Sequence, residues 1–479
     1  MDSQKPNLSY VWGLTIVATL GGLLFGYDTA VISGTVNSLK INFIDPRGLS
    51  EMAANSLLGF AVSSALVGCV LGGLIGGWMA LTLGRRNSMR VAALLLIISA
   101  IGSGFPELLI APVGTNVAAF LTPFIIYRII GGIGVGLASM LSPMYIAEIS
   151  PAAKRGNLVS WNQFAIIFGM LVVYFVNWTI SKQGNETWLH EYGWRWMFFS
   201  ETIPGVLFLV LLFFVPESPR WLVMQQKEEK ALAILSKING KQIAGEVLTE
   251  IKETVTGVGS SKLFSYGILI VVLGILLSVF QQFVGINVVL YYAPEIFKNM
   301  GSTTDASLLQ TIIVGSINLT FTVLAIFTVD HYGRKPLMII GALGMAVSMV
   351  ALGCTFYIQH IGIAALLFML TYVASFAVSW GPVTWVLLSE IFPNRIRGRA
   401  MAVAVAAQWI SNYLVSWTFP ILDKNTFLNN AFHHGFSYWI YGFMGVLAAW
   451  FVWKLVPETK GKTLEEMETL FREKGTIEH

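Results

Sequence analysis

Two ionisable residues lie where an ion is expensive. Asp28 sits well inside an apolar run over 10–36, and Arg128 falls eleven residues into another over 117–141. An ionised side chain at the centre of a bilayer costs about 2.5–3.5 kcal/mol on insertion scales, so each requires a reason. One reason is a static ion pair that fixes helix packing. The other is proton carriage, in which the carboxylate takes up and releases a proton and the guanidinium governs when it does so.

A second set is neutral. Gln163, Gln281, Gln282, Asn287 and Gln408 carry amides, which both donate and accept hydrogen bonds. Trp385 adds an indole, which covers an apolar C–H face while donating through its own N–H. Phe25, Met170, Tyr291, Gly381 and Trp409 are expected to line the same pocket. Such a set suits a neutral, hydroxyl-rich ligand, whereas an ion or phosphate would demand a ring of charges. The alternative is interhelical bonding worth less than about 2 kcal/mol per residue. On an ideal helix Gln282 and Asn287 stand about 140° apart, so they converge only if the helix unwinds near Gly285. Trp380-Gly381-Pro382 marks a second break of the same kind. Interrupted helices line cavities in transporters, where the freed backbone groups find partners.

The elements that must position these residues are membrane spans. The chain has 479 residues, 55% hydrophobic and 12% charged. Soluble domains carry about 25% charged residues, and halving that leaves too little polar surface to face water. A span needs roughly 20 apolar residues. Twelve such runs are present, at 10–36, 54–80, 91–110, 117–141, 158–181, 194–215, 264–292, 307–329, 337–357, 362–388, 400–422 and 437–456. The fold class is therefore an all-α membrane protein. Arg and Lys concentrate in the loops 81–90, 142–157, 330–336 and 389–399, which places those loops and both termini in the cytoplasm. The polar first nine residues and the length of the first run argue against a cleaved leader. The segment 217–262 holds two amphipathic stretches, Lys227 to Asn239 and Glu246 to Val255, expected to lie on the cytoplasmic side.

Three patterns occur twice. Gly84-Arg85-Arg86 returns as Gly333-Arg334-Lys335, Glu148…Arg155-Gly156 as Glu390…Arg397-Gly398, and Pro216-Glu217-Ser218 as Pro457-Glu458-Thr459. They follow the second, fourth and sixth span of each half, so the chain reads as a duplicated six-helix unit. The implied division is 1–216, a linker 217–262, 263–457 and a tail 458–479. Carboxylates and guanidinium groups at helix ends can pair between neighbouring spans as forks. Glu148, Arg155, Glu390 and Arg397 are expected to form a network that closes the cytoplasmic side in one conformation and breaks in the other.

These motifs, with Pro216-Glu-Ser-Pro-Arg220 and Pro457-Glu-Thr-Lys-Gly461, resemble the sugar porter family of the major facilitator superfamily over about 8–466. The resemblance implies two six-helix bundles and alternating access, and adds Arg85, Arg334, Glu217 and Arg220 to the gating set. It implies sugar binding by Gln163, Gln281, Gln282, Asn287, Trp385 and Gln408. Proton-coupled members carry Asp where Asp28 stands and facilitative members usually Asn, so symport is expected, with passive facilitation of a hexose as the alternative. A sugar-sensing receptor ranks third, because only about 20 residues follow the last span. The pattern lies nearest the bacterial pentose–proton symporters, which makes D-xylose the expected substrate and the bacterial inner membrane the expected location. Two departures stand out. Leu81 replaces an acidic residue of the first gate loop, as Asp330 precedes Gly333. Met170 replaces a second Gln and could admit the extra hydroxymethyl of a hexose.

No Walker loop, catalytic triad or metal-ligand cluster is visible, so an enzyme or ATP-driven pump is disfavoured, and no cofactor or metal is expected. Gly132-Ile-Gly134-Val-Gly136 lies inside a span and reads as a close-packing face. The expected partners are sugar, proton and lipid, with no nucleic acid, and the expected state is a monomer.

Overall fold

The computed structural model describes residues 6–151, 154–256, 263–264, 267–360, 362–393 and 396–460, and the side chains of 254–256, Ile326, Asp330, Ser389 and Arg397 lie outside that description. Twelve spanning helices follow in order. The first half comprises α1 (Leu8–Val31), α2 (Glu51–Thr82), α3 (Arg85–Gly104), α4 (Leu121–Ile149), α5 (Arg155–Ser181) and α6 (Trp194–Phe199 with Thr202–Leu211). The second comprises α7 (Ile268–Phe283 with Ile286–Asn299), α8 (Thr304–Tyr332), α9 (Arg334–Tyr357), α10 (Ile363–Val378 with Trp380–Ile391), α11 (Arg397–Asp423) and α12 (Gly435–Leu455). Ten are long and apolar enough to cross a bilayer by composition alone. The interrupted α6 and the more polar α11, with Gln408, Ser411 and Asn412, complete the set.

Helix ends differ from the apolar runs where charge is part of a helix. α3 begins at Arg85, six residues before its apolar run, because the arginines find carboxylate and carbonyl partners at the helix start. α4 runs on through Pro143 to Ile149. Within the halves, α2 and α3 pack on α4 and α1 on α5, while α9 packs on α10 and α12 and α7 on α11. Glycine sets the closest approaches: a Cβ at Gly26 would overlap the Ile166 carbonyl oxygen, and one at Gly132 that of Ala65.

Between the halves, α2 meets α11 and α5 meets α8. The polar contacts of this seam cluster at the face opposite the termini. Lys182 reaches Asp305 at 2.6 Å, the Thr304 hydroxyl donates to Glu186 at 2.6 Å, and the Thr426 N–H donates to Glu51 at 2.6 Å. The Trp417 indole donates to the Ser56 carbonyl at 3.1 Å. The linker folds as helices Pro219–Met224, Glu228–Asn239 and Lys241–Thr256; the first was not expected, the second starts one residue later than expected, and the third starts five residues earlier and ends one later. Trp221, Leu222, Val223 and Ala231 form its small core. It docks on the first half, with the Trp221 indole donating to the Leu81 carbonyl at 2.8 Å and the Asn7 N–H to the Ile238 carbonyl at 2.9 Å.

Candidate functional site

Midway along α1 and α4 the two charged residues meet. Arg128 donates through Nη1 to Asp28 Oδ1 at 2.8 Å and through Nη2 to the Asp28 carbonyl at 3.2 Å, and both side chains are almost fully buried. The Phe198 ring centre lies 5.3 Å from the guanidinium carbon, so an aromatic face covers the cation. A third ionisable residue belongs here. Glu201, at the interruption of α6, is 1% exposed and lies within electrostatic reach of both Asp28 and Arg128. Sequence reasoning passed over it, although the test that singled out Asp28, an acid well inside an apolar run, applies equally to Glu201.

Two carboxylates therefore share one guanidinium. Asp28 Oδ2 and both Glu201 oxygens are buried without a hydrogen-bond partner. A single added proton neutralises the group and supplies an O–H donor for an otherwise unpaired oxygen. The arrangement can hold or release one proton.

The neutral residues gather where two helices break. α7 stops at Phe283 and restarts at Ile286, with Gly285 at φ +92°, and α10 breaks at Ser379. The α7 break brings Asn287 round so that its Nδ2 donates to Gln282 Oε1 at 2.5 Å. Gln281 donates to the Trp380 carbonyl at 2.9 Å and the Gly381 carbonyl at 3.3 Å, which stitches the two breaks together. The Tyr372 hydroxyl, from α10, donates to the freed Val284 carbonyl at 2.7 Å. Trp385 and Gln408 are half-buried, and Gln408 Oε1 is an acceptor without a partner. In the first half, half-buried Gln163 and buried Met170 stand seven residues apart on one face of α5. Phe25 and Trp409 touch across the halves, with ring centres 5.4 Å apart. Tyr291 accepts from Asn412 Nδ2 at 3.3 Å. Asn412 is a buried amide on α11 that the sequence reading left unremarked beside Gln408-Trp409.

At the face carrying the termini, the duplicated motifs form two copies of one cluster. Arg85 pairs with Glu148 at 2.8 Å, the Ser218 hydroxyl donates to Glu148, and the backbone N–H groups of Arg85 and Arg86 donate to Glu217 at 2.9 and 3.0 Å. In the second half Arg334 forks onto Glu390 at 2.8 and 3.2 Å and the Thr459 hydroxyl donates to Glu390 at 2.5 Å. There the Arg334 and Lys335 N–H groups donate to Glu458 at 3.1 and 3.0 Å. Gly84 and Gly333 open the repeat for a steric reason. Each has φ near +90°, and a Cβ there would press on Glu217 or Glu458. Arg155 and Arg220 are exposed, and neither pairs with a carboxylate among the described contacts. The Arg397 side chain falls outside the described residues. Each Glu of the duplicated segment is thus held within its own half by the arginine after the second span of that half.

The sequence matches the family model described as "Sugar (and other) transporter" over residues 14–471. The chain belongs to the sugar porters of the major facilitator superfamily. It is 62% identical to the D-xylose-proton symporter of Escherichia coli strain K12, over 98% of this chain and 97% of that one. Its structure is similar to the inward open conformation of the E. coli xylose transporter XylE, with a TM-score of 0.88 and 61% identity over 96% of this chain and all of that one. It is also similar to XylE bound to 6-bromo-6-deoxy-D-glucose, with a TM-score of 0.84 and 62% identity over 97% of this chain and all of that one. The twelve helices of the transporter are those of this fold.

Proposed function

We propose that this transporter carries a monosaccharide into the cell together with a proton, with D-xylose its first substrate. The observation that carries this reading is the placement of a buried Asp28–Arg128–Glu201 group beside an uncharged amide pocket, in a chain similar throughout to a D-xylose-proton symporter. The face with the termini is cytoplasmic, the protein works as a monomer in the inner membrane, and the division falls at the linker 217–262.

Gln163, Gln281, Gln282, Asn287, Trp385 and Gln408 bind the sugar, and Phe25, Met170, Tyr291, Gly381 and Trp409 shape its pocket. Asp28 loads a proton when the pocket faces outward and Arg128 is withdrawn. Return of Arg128 to the 2.8 Å contact seen here expels the proton inward, with Glu201 as the neighbouring acceptor. The membrane potential supplies about 2.3 kcal/mol per charge per 100 mV. That drives roughly fifty-fold accumulation at one proton per sugar.

When the inner side closes, Arg155, Arg220 and Arg397 reach across to the Glu148 and Glu390 clusters, and this crossing holds the gate. The thioether of Met170 admits a hexose, as substrate or as bound inhibitor. Vesicle uptake of labelled xylose, glucose, galactose and inositol, with and without an imposed pH gradient, tests the whole reading. Concentrative xylose uptake that collapses with the gradient is the expected result. Galactose or inositol transport without pentose binding overturns it.

A further inference from the structure

At the seam opposite the termini the ring of His190 lies at the junction of the halves. The segment Leu189–Gly193 before α6 carries it. Its Nδ1 lies 2.9 Å from the Ser38 hydroxyl and its Nε2 lies 3.5 Å from Asn37 Nδ2, while Asn42 Nδ2 donates to its carbonyl at 2.7 Å. With the Asn37 amide oriented as here, its N–H faces Nε2, whose lone pair accepts it, and Nδ1 then carries the ring proton and donates to Ser38. The pattern fits the neutral ring. A second ring proton would set N–H against N–H.

His190 also helps line a narrow cleft closed from the other side by Glu295, Lys298 and Thr304. The carboxylates around it already have partners. Glu295 is shared by Lys298 at 3.9 Å and Lys424 at 3.6 Å, and Asp423, next to Lys424, is held by His434 at 3.2 Å and by the Asn299 amide at 3.1 Å. On the first-half side, Glu186 is occupied by the Thr304 hydroxyl, Lys40 pairs with Asp45, and Arg195 pairs with Glu107. Lys182 is taken by Asp305 of α8, Arg47 donates to backbone carbonyls, and Glu191 lies on the segment of His190 itself. Burial, and then Lys298, hold the imidazole below the ordinary histidine value, with Glu186 and Glu295 opposing.

We propose that His190 is a positioning residue of the transport cycle: protonated from outside, it loosens the outer seam and returns the transporter to its outward-facing state. This rests on the symport reading above, which makes this face the external one, but it does not use Asp28. The sign follows from the geometry. The closed seam prefers the neutral ring, so closure is strongest in neutral or alkaline medium. It weakens as the outside pH falls below about 6.5, the ordinary histidine value. An acidic medium would then hasten the step that exposes the empty pocket, in addition to supplying the driving proton.

The test separates this from the coupling proton by working in the Asp28→Asn background. Spin labels on Gln183→Cys and Phe427→Cys, both exposed and on opposite lips, report the outer gap, with Cys354→Ser to remove the one exposed native thiol. Between pH 8 and 5.5 the open population is expected to rise about fivefold, which is about 1 kcal/mol at 1.36 kcal/mol per factor of ten. Adding His190→Asn should leave the population flat, and adding His190→Lys should hold the gap open at every pH. An equal pH response in the His190→Asn protein, or a closed gap with Lys at this position, overturns the proposal. Xylose binding by the same proteins, measured separately, shows whether the symport reading itself has failed.

Discussion

The first six helices bury charge at mid-depth, with Asp28 and Arg128 on the unbroken α1 and α4 and Glu201 at the interruption of α6. The last six, among the described residues, bury neutral amides at that depth and break two helices to do so. The difference follows from what each ligand requires. A proton site needs a carboxylate and a guanidinium held at a fixed separation, and an intact helix fixes positions best. A hydroxyl-rich ligand needs several donors and acceptors converging from one side, which an intact helix cannot offer to Gln282 and Asn287 at once. Breaking α7 at Gly285 and α10 at Ser379 achieves that convergence, and Gln281 and Tyr372 satisfy the carbonyls that the breaks expose. At the face carrying the termini the two halves become alike again, with the same Arg–Glu cluster in each.

If this contrast is real, its sharpest break is Asp28→Asn. That change keeps size and hydrogen bonding but removes titration. Uphill uptake in vesicles should disappear, while sugar binding measured by calorimetry stays within about twofold of the parent. Retained concentration of sugar under a pH gradient would place the proton elsewhere. Glu201→Gln probes the same group and should flatten the pH dependence of transport without abolishing binding.

The next largest effect lies at the gate clusters, where the halves should differ in degree. Arg85 and Glu148 are more buried than Arg334 and Glu390. Removing one partner of a buried pair costs about 3–5 kcal/mol. Arg85→Ala should therefore lower the melting temperature in detergent more than Arg334→Ala does. Equal shifts would show that burial does not rank the two copies. Arg155→Ala, by contrast, should leave melting unchanged, and both Arg155→Ala and Arg397→Ala should slow turnover while sparing affinity.

In the second half, Gly285→Ala should cost affinity but leave coupling intact. A Cβ at φ +92° is strained by about 1–2 kcal/mol and would also meet the Tyr441 ring at 2.7 Å. Asn287→Ala should weaken xylose binding by roughly tenfold, as expected for about 1.5 kcal/mol per hydrogen bond. The double change with Gln282→Ala should cost less than the sum, because the two amides bond each other.

The smallest effect concerns His434, which bonds Asp423 at 3.2 Å at the start of α12. Asp423 raises its pKa above the ordinary value, against the opposing cost of burial. The pair therefore contributes its full stability below about pH 6.5 and loses it as pH rises through the higher bound value. His434→Asn should remove that slope, on the order of 1 kcal/mol, from a pH series of melting curves.

The spans, the duplication and both helix breaks were legible because they are local: apolar run length, motif spacing, and Gly or Gly-Pro within a run. What was not legible is tertiary. A network among Glu148, Arg155, Glu390 and Arg397 was expected, with Arg85 added through the resemblance alone; here Glu148 is held by Arg85, 63 residues back, because α2 and α3 turn beside the end of α4. α3 began too late because its arginines were counted as loop. Glu201 was within reach of the same local test, an acid well inside the run 194–215, but nothing local tells that it shares Arg128 with Asp28. Asn412 shows the same limit, because nothing local separates a buried amide that holds Tyr291 from one that faces lipid.

The glycine contacts of the first half bear on how far a small motion reaches. With Gly26 against Ile166 and Gly132 against Ala65, α1, α2, α4 and α5 meet backbone to backbone and cannot slide past one another through soft side chains. A motion that turned them together would move them as one stiff plate. α2 has 32 residues and is thus about 48 Å long, at 1.5 Å per residue. Pivoting that plate by about 10° at its middle carries each tip about 4 Å, in opposite directions. Travel of that size is enough to part Glu51 from Thr426 at one end while bringing the opposite tips together.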